Sequence, residues 1–192
     1  MTPAELAGLL CAVWQCPRER AAIHAPHMAR ALEYAEINTP RRLAHWLAQV
    51  GHESGRGRYT REIYGPTVQQ ARYEPTTALS KALGNVKTGD GARYMGRGLI
   101  QVTGRANYRG LTARVRAQMG ESSPDFESAP MLLQGADWAS MSAADFWRSR
   151  GLNRCADADD IRLLTKRING GITGISDRQA LTVKAISVIS SG

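Results

Sequence analysis

Cysteine is scarce: the 192 residues hold only Cys11, Cys16 and Cys155, an odd number without a Cys-x-x-Cys spacing. This excludes a disulfide framework and a zinc knuckle and leaves buried free thiols as the expected state. Long apolar runs are missing as well. No window approaches the roughly 18 apolar residues of a membrane span. The run from Leu6 to Trp14 is short, follows a first charge at Glu5, and so lacks the positive lead of a secretory signal. In Gly8-Leu9-Leu10-Cys11 a bulky leucine stands where a lipoprotein signal needs a small residue. A chain made soluble in the cytoplasm is therefore expected. No internal repeat, low-complexity linker or composition break divides the sequence, and its length suits one domain.

Acid is the other deficit. Between residues 41 and 120 only Glu53, Glu62, Glu74 and Asp90 stand against fourteen Arg and Lys, a net charge of +10, while the rest of the chain carries −2. The whole chain is at +8 with a pI near 9.9. Such an imbalance favours an anionic partner, whether nucleic acid, a membrane face or an acidic envelope polymer, with a merely solvated basic face as the plain alternative. Histidine is sparse too. His24, His27, His45 and His52 make no metal set, and His52-Glu53 opens like the zincin His-Glu-x-x-His motif but has Arg at position 56. Gly96-x-Gly98 is followed by Gln101 where a dinucleotide fingerprint needs a third glycine.

What is present is helix punctuation. Thr2-Pro3-Ala4-Glu5 offers an N-cap, a proline at N1 and a carboxylate at N3, followed by Leu6, Leu9, Leu10 and Val13 at helical spacing. Thr39-Pro40 repeats the device before Leu43, Trp46, Leu47 and Val50. Helical patterns also cover Met28 to Ile37, Leu111 to Met119, Ala143 to Arg150, Asp160 to Ile168 and Arg178 to Ile189, the last introduced by Ser176-x-x-Gln179. A glycine-rich tract from Gly84 to Tyr108 interrupts them, with Leu99 to Thr103 as a candidate short strand.

In the helix from Pro40 to about Glu53, Leu43, Trp46, Leu47 and Val50 share a face, His52 points away, and Glu53 lies about 70° from the centre of the stripe. Ser54-Gly55-Arg56-Gly57 ends this helix, which leaves Glu53 in the last turn beside the core. Partial burial and the negative end of the macrodipole both favour a carboxyl that keeps its proton, as a general acid must. Gly55 and Gly57 let the chain reverse, so that Glu62 could face the same cleft; two carboxyl groups flanking a sugar linkage are what glycoside hydrolysis requires. Pairing of Glu62 with Arg58 or Arg61 is the plainer reading. Asp90 reads as a turn residue in Gly-Asp-Gly, and Tyr59, Tyr64, Tyr73, Tyr94 and Tyr108 could line a groove or pack in the core.

Four ordered motifs carry a resemblance. They are Gln49-Val50-Gly51-His52-Glu53-Ser54-Gly55; Arg61-Glu62-Ile63-Tyr64-Gly65-Pro66-Thr67; the centre from Gly89 to Tyr108 with its core Gly96-Arg97-Gly98-Leu99-Ile100-Gln101-Val102-Thr103; and Arg167-Ile168-Asn169-Gly170-Gly171 followed by Asp177-Arg178. From about residue 40 to 180 the chain resembles glycoside hydrolase family 19, in its bacteriophage endolysin and lysozyme-like branch. The resemblance implies a general acid at Glu53, a second carboxylate at Glu62, a sugar-contacting amide at Gln101 and a water-holding hydroxyl at Thr103. Asn107, Asn169 and Arg178 match further cleft positions, and Tyr94, inside the central motif, is placed with the substrate-binding residues. Arg97 and Arg178 could pair with the carboxylates or steer their ionisation.

The expected fold is mainly α, a lysozyme-like helical domain with a deep cleft and at most a very small β element. A helical segment 1–38 is expected to pack on a core of 39–192, with no separate wall-binding domain. The implied activity is cleavage of β-1,4 bonds between N-acetylated amino sugars of peptidoglycan by an inverting acid/base mechanism, for host cell lysis. No cofactor or metal is implied, and the partner is the glycan strand rather than nucleic acid. The enzyme is expected to be a monomer without stable membrane association, made in the host cytoplasm and reaching periplasmic murein through a holin-type pore. A chitinase on the same fold, a lytic transglycosylase and a non-catalytic polyanion-binding module are the alternatives.

Overall fold

The first and third helices start where the caps predict. The computed structural model describes residues 1–65 and 67–191; Pro66 of the second motif lies outside them. In α1 (Pro3–Trp14) the Thr2 hydroxyl accepts from the Glu5 amide at 3.2 Å and the Glu5 carboxylate accepts from the Thr2 amide at 2.7 Å, a reciprocal capping box. After α2 (Arg18–Tyr34), α3 (Pro40–Glu53) begins with the Thr39 hydroxyl accepting from the Arg42 amide. Three short helices follow through the glycine-rich middle: α4 (Val68–Ala71), α5 (Ala78–Leu83) and α6 (Asp90–Arg93). The second half holds α7 (Arg105–Met119), α8 (Ala136–Ser149), α9 (Leu152–Asp157), α10 (Ile161–Asn169) and α11 (Ile175–Ser190).

The core lies where α3 packs on α11, α1 on α2, and α2 on α8. Trp46 and Trp147 meet edge to face, with centroids 5.6 Å apart. Trp14 donates its indole N–H to the Leu47 carbonyl at 2.9 Å, and it can lie this close to α3 only because Gly51 has no side chain: a Cβ there would stand 2.5 Å from the indole nitrogen. The α1–α2 segment thus braces the end of α3. No helix among the described residues is long and apolar enough to cross a membrane.

Two local expectations are corrected. Leu99 to Thr103 is not a strand. Arg97 and Val102 exchange backbone hydrogen bonds at 3.1 and 2.8 Å, and Gly98 (φ 83°) and Gln101 (φ 56°) turn the chain between them. The β content of the described residues is two isolated bridges, Arg61 with Arg97 and Arg97 with Val102. Ser176 does not start the last helix; the chain enters α11 through the left-handed Gly174, whose missing Cβ would otherwise strike the His52 ring at 2.3 Å.

Candidate active site

Leu43, Trp46, Leu47 and Val50 of α3 are buried, and Glu53, at the edge of that stripe, keeps about a fifth of its side chain exposed. The helix ends in a Schellman turn. The Arg56 amide donates to the Gly51 carbonyl at 2.6 Å and the Gly55 amide to the His52 carbonyl at 3.2 Å. Gly55, Arg56 and Gly57 are consecutively left-handed, at φ 57°, 62° and 73°. A Cβ on Gly57 would meet the Trp14 and His24 rings near 3 Å, and His24 Nε2 donates to the Gly57 carbonyl at 2.9 Å. The reversal after Glu53 is therefore wedged against α1 and α2.

The charge beside Glu53 comes from α11. Arg178 is buried, and its guanidinium donates to Glu53 Oε1 at 2.5 Å, to Gln49 Oε1, and to the Thr173 carbonyl at 3.4 Å. A buried guanidinium needs such partners to offset its lost hydration. Next to it, His52 Nδ1 and Arg56 donate to the two oxygens of Asp177, each at 2.6 Å. Burial alone would push the Asp177 carboxyl up, but His52 and Arg56 together hold it below the ordinary range. Asn169 shapes the loop between α10 and α11, donating to the same Thr173 carbonyl at 3.0 Å and accepting from the Gly171 amide at 2.8 Å. Glu53, Arg178 and Asn169 thus belong to one cluster.

Glu62 is held by neutral groups. Its Oε1 accepts from Gln70 Nε2 at 2.9 Å and from the Tyr73 hydroxyl at 3.5 Å, and its Oε2 accepts from the Gly96 amide at 3.0 Å. The Glu62 amide in turn donates to the Gly96 carbonyl at 2.8 Å. Pairing with Arg58 or Arg61 does not occur: among the described residues no Arg or Lys lies within 4.0 Å of this carboxylate. Burial raises the Tyr64 and Tyr73 phenols, with Glu74 and Glu62 adding to it at Tyr64 and Glu62 at Tyr73.

Gly96 also brings Gln101 to Glu62, since a Cβ there would lie 2.8 Å from Gln101 Oε1 and 3.3 Å from Glu62 Oε2. Gln101 Nε2 donates to the Gly98 carbonyl at 2.8 Å, and the Thr103 hydroxyl to the Gln101 carbonyl at 3.1 Å. Asn107 Nδ2 reaches back to the Thr103 carbonyl at 2.6 Å. Gln101, Thr103 and Asn107 line one cavity of about 390 Å³.

Tyr94 does not belong with them. It is buried, packs edge to face against Tyr108 with centroids 5.4 Å apart, and donates its hydroxyl to the Glu127 carbonyl at 3.1 Å. It has no ring face to offer a sugar. Arg97 is structural as well, donating to the Arg93 carbonyl at 2.7 Å and the Tyr108 hydroxyl at 3.1 Å. Asp90 acts as a turn and network residue: it accepts from the Val86 and Lys87 amides and pairs with Arg105 at 2.5 Å. Despite burial, these contacts lower its pKa to about 2. Glu74 accepts from the Gly89 and Gly91 amides and so fixes the same loop.

Sequence reasoning missed Gln49 and Gln70 as partners of the two carboxylates. Gln49 stands one helical turn before Glu53, a spacing that could have found it; Gln70 completes a capping box with Thr67, which hid its second contact. Among the described residues no three His, Cys, Asp or Glu side chains group as a metal site.

No family model matches the chain. Over 158 residues it is 32% identical to a glycosyl hydrolase family 19 domain-containing protein of Haemophilus influenzae, an alignment that covers 70% of this chain and 74% of that protein. The fold superposes on chitinase C from Streptomyces griseus with a TM-score of 0.70 and 18% identity, covering 96% of this chain and 76% of the chitinase. A mutant of chitinase C gives a TM-score of 0.68 at 16% identity over the same shares.

Proposed function

The chain belongs to glycosyl hydrolase family 19, and from that premise we propose that this glycosidase is an endolysin that cuts the β-1,4 bonds between N-acetylated amino sugars of peptidoglycan. The observation that carries the mechanism is the contrast between two carboxyl groups at either end of one glycine-hinged segment. Glu53 faces a buried guanidinium, whereas Glu62 is held by an amide side chain, a backbone amide and a phenol. Unequal environments set the two carboxyl groups apart; the acid role is given to Glu53 by its place in His52-Glu53-Ser54, because a guanidinium partner does not by itself favour a carboxyl that keeps its proton.

In this reading Glu53 protonates the departing glycosidic oxygen and Glu62 takes a proton from the attacking water, which inverts the anomeric centre when roughly 6.5–9.5 Å separates the carboxyl groups. Thr103 holds that water, its hydroxyl oxygen accepting while its proton is spent on the Gln101 carbonyl. Gln101 and Asn107 present amides to the hydroxyl and acetamido groups of the sugar, and Asn169 and Arg178 frame Glu53 from the other side. The enzyme acts on the host envelope from within, after passage through a holin-type pore.

Purified murein digested by the wild type and by Glu53→Gln gives the test. The variant is expected to fold and to lose at least about a hundredfold in rate, the scale of a missing general acid; undiminished release of reducing ends would remove Glu53 from the mechanism. Mass spectrometry of the products separates hydrolysis from transglycosylation, which leaves anhydro ends. The likeness to chitinase C favours a second reading, a chitinase; chitin oligomers assayed beside murein distinguish the two.

A further inference from the structure

The cavity of Gln101, Thr103 and Asn107 extends beyond those residues. Phe146, Arg150 and Arg114 line it as well. Arg150 also forms a wall of a second depression, shared with Lys166 and Arg167. Arg167 donates to the Arg150 carbonyl at 3.4 Å, which ties the end of α8 to the end of α10. The amide-lined cavity therefore shares Arg150 with a depression lined by further cations.

Their charge is not neutralised. Asp145, the acid lining the first cavity, is buried and fully engaged: it accepts from Arg114 at 2.7–3.0 Å and from the Tyr34 hydroxyl at 3.1 Å. Among the described residues no carboxylate lies within 4.0 Å of Arg150, Lys166 or Arg167. Arg150 is held in place, its guanidinium 4.1 Å above the centre of the Phe146 ring. Burial, with the like charge of Arg114 adding to it, pulls its pKa below that of an ordinary arginine. A fixed cation in that condition gains from an arriving carboxylate. Lys166 and Arg167 stand in the last turn of α10, where the helix dipole accommodates cations; the dipole accounts for their being basic, not for their adjoining the cavity.

We propose that Arg150, Lys166 and Arg167 form a shelf that reads the carboxylates of the peptide side chains borne by peptidoglycan, and so distinguishes that polymer from neutral chitin. The proposal rests on the reading of the neighbouring cleft as a peptidoglycan glycosidase. Amide side chains recognise what the two polymers share, their N-acetylated sugars. Of the two, only murein carries acid at regular intervals along the strand, and a cationic surface beside the cleft registers it.

The test uses soluble murein oligomers with free peptide carboxylates, the same oligomers after amidation of those carboxylates, and chitin oligomers. The wild type is expected to cleave the free-carboxylate form with a kcat/KM roughly five- to tenfold above the amidated form, the scale of two or three partly screened ion contacts. In Arg150→Gln combined with Lys166→Gln and Arg167→Gln that ratio should fall to about one. A ratio is internal to each protein, so partial unfolding of the variant does not imitate the result. A wild type indifferent to amidation, or a triple variant that keeps the preference, overturns the shelf while the glycosidase reading stands. Cleavage of chitin oligomers with neither murein form attacked overturns both.

Discussion

Glu53 is joined to the rest of the molecule through one buried cation, and that makes the two obvious substitutions unequal. Glu53→Gln keeps an amide oxygen where Oε1 meets Arg178, so its cost should stay near ~1 kcal/mol, whereas Glu53→Ala removes an acceptor from a fully buried guanidinium and should cost about 2–3 kcal/mol. Urea melts of the two variants check this, and equal losses would mean that Gln49 and the Thr173 carbonyl suffice for Arg178. Asp90 supplies the pH dependence. Its buried carboxyl has a pKa of about 2, below that of an unfolded chain, so its ionised form stabilises the native state. That stability is complete above about pH 5 and vanishes as the pH falls through the folded pKa. Asp90→Asn should therefore lose on the order of 2 kcal/mol near neutrality, with the gap to wild type closing on acidification towards pH 2. Equilibrium unfolding across that range measures it; a gap independent of pH would point to lost packing instead.

At the scale of elements, the turn from Arg97 to Val102 carries the site and depends on close approach. Gly98 is left-handed, and a Cβ there would stand 2.2 Å from the Ser142 hydroxyl of α8. Gly98→Ala should destabilise by about 2 kcal/mol or more and depress turnover, because Gln101 and Thr103 move with the turn. Adding Ser142→Ala removes the obstructing atom and should return on the order of 1 kcal/mol, leaving the backbone strain; strictly additive melts would rule the contact out as the cause. This turn also marks where the sequence stopped being legible. Caps and apolar spacing announced the starts of α1 and α3 to the residue, because Thr-Pro starts and a one-sided stripe are local signals. Leu99 to Thr103 imitated a strand because its apolar residues are buried by a turn rather than by a sheet. Tyr94 carried an aromatic ring inside a motif, and no local pattern tells a ring facing a groove from one packed on Tyr108. The Arg105–Asp90–Glu127 network joins residues 15 and 22 positions apart, beyond any helical period. Arg178 meets Glu53 across 125 positions, so pairing with a carboxylate could be foreseen but not which one.

For the whole molecule it is the net charge of +8 that works at a distance, since several arginines of the middle segment pair with carboxylates from outside it. Exposed cations attract an anionic polymer over about 8 Å at physiological ionic strength and less as salt is added. The kcat/KM on murein should accordingly fall several-fold between about 0.05 and 0.5 M salt while that on any neutral chitin oligomer it cleaves stays nearly flat; parallel salt curves would assign the charge to solubility. The same chain order has a temporal side. During synthesis the ribosome delivers Glu53 long before Arg178, and the counterion can arrive only after α11 has emerged and docked on α3. A glycosidase arranged this way lacks, while nascent, the counterion of its Glu53, and a prematurely terminated copy, however many of its early helices had formed, would carry the carboxyl without the cation that seats it.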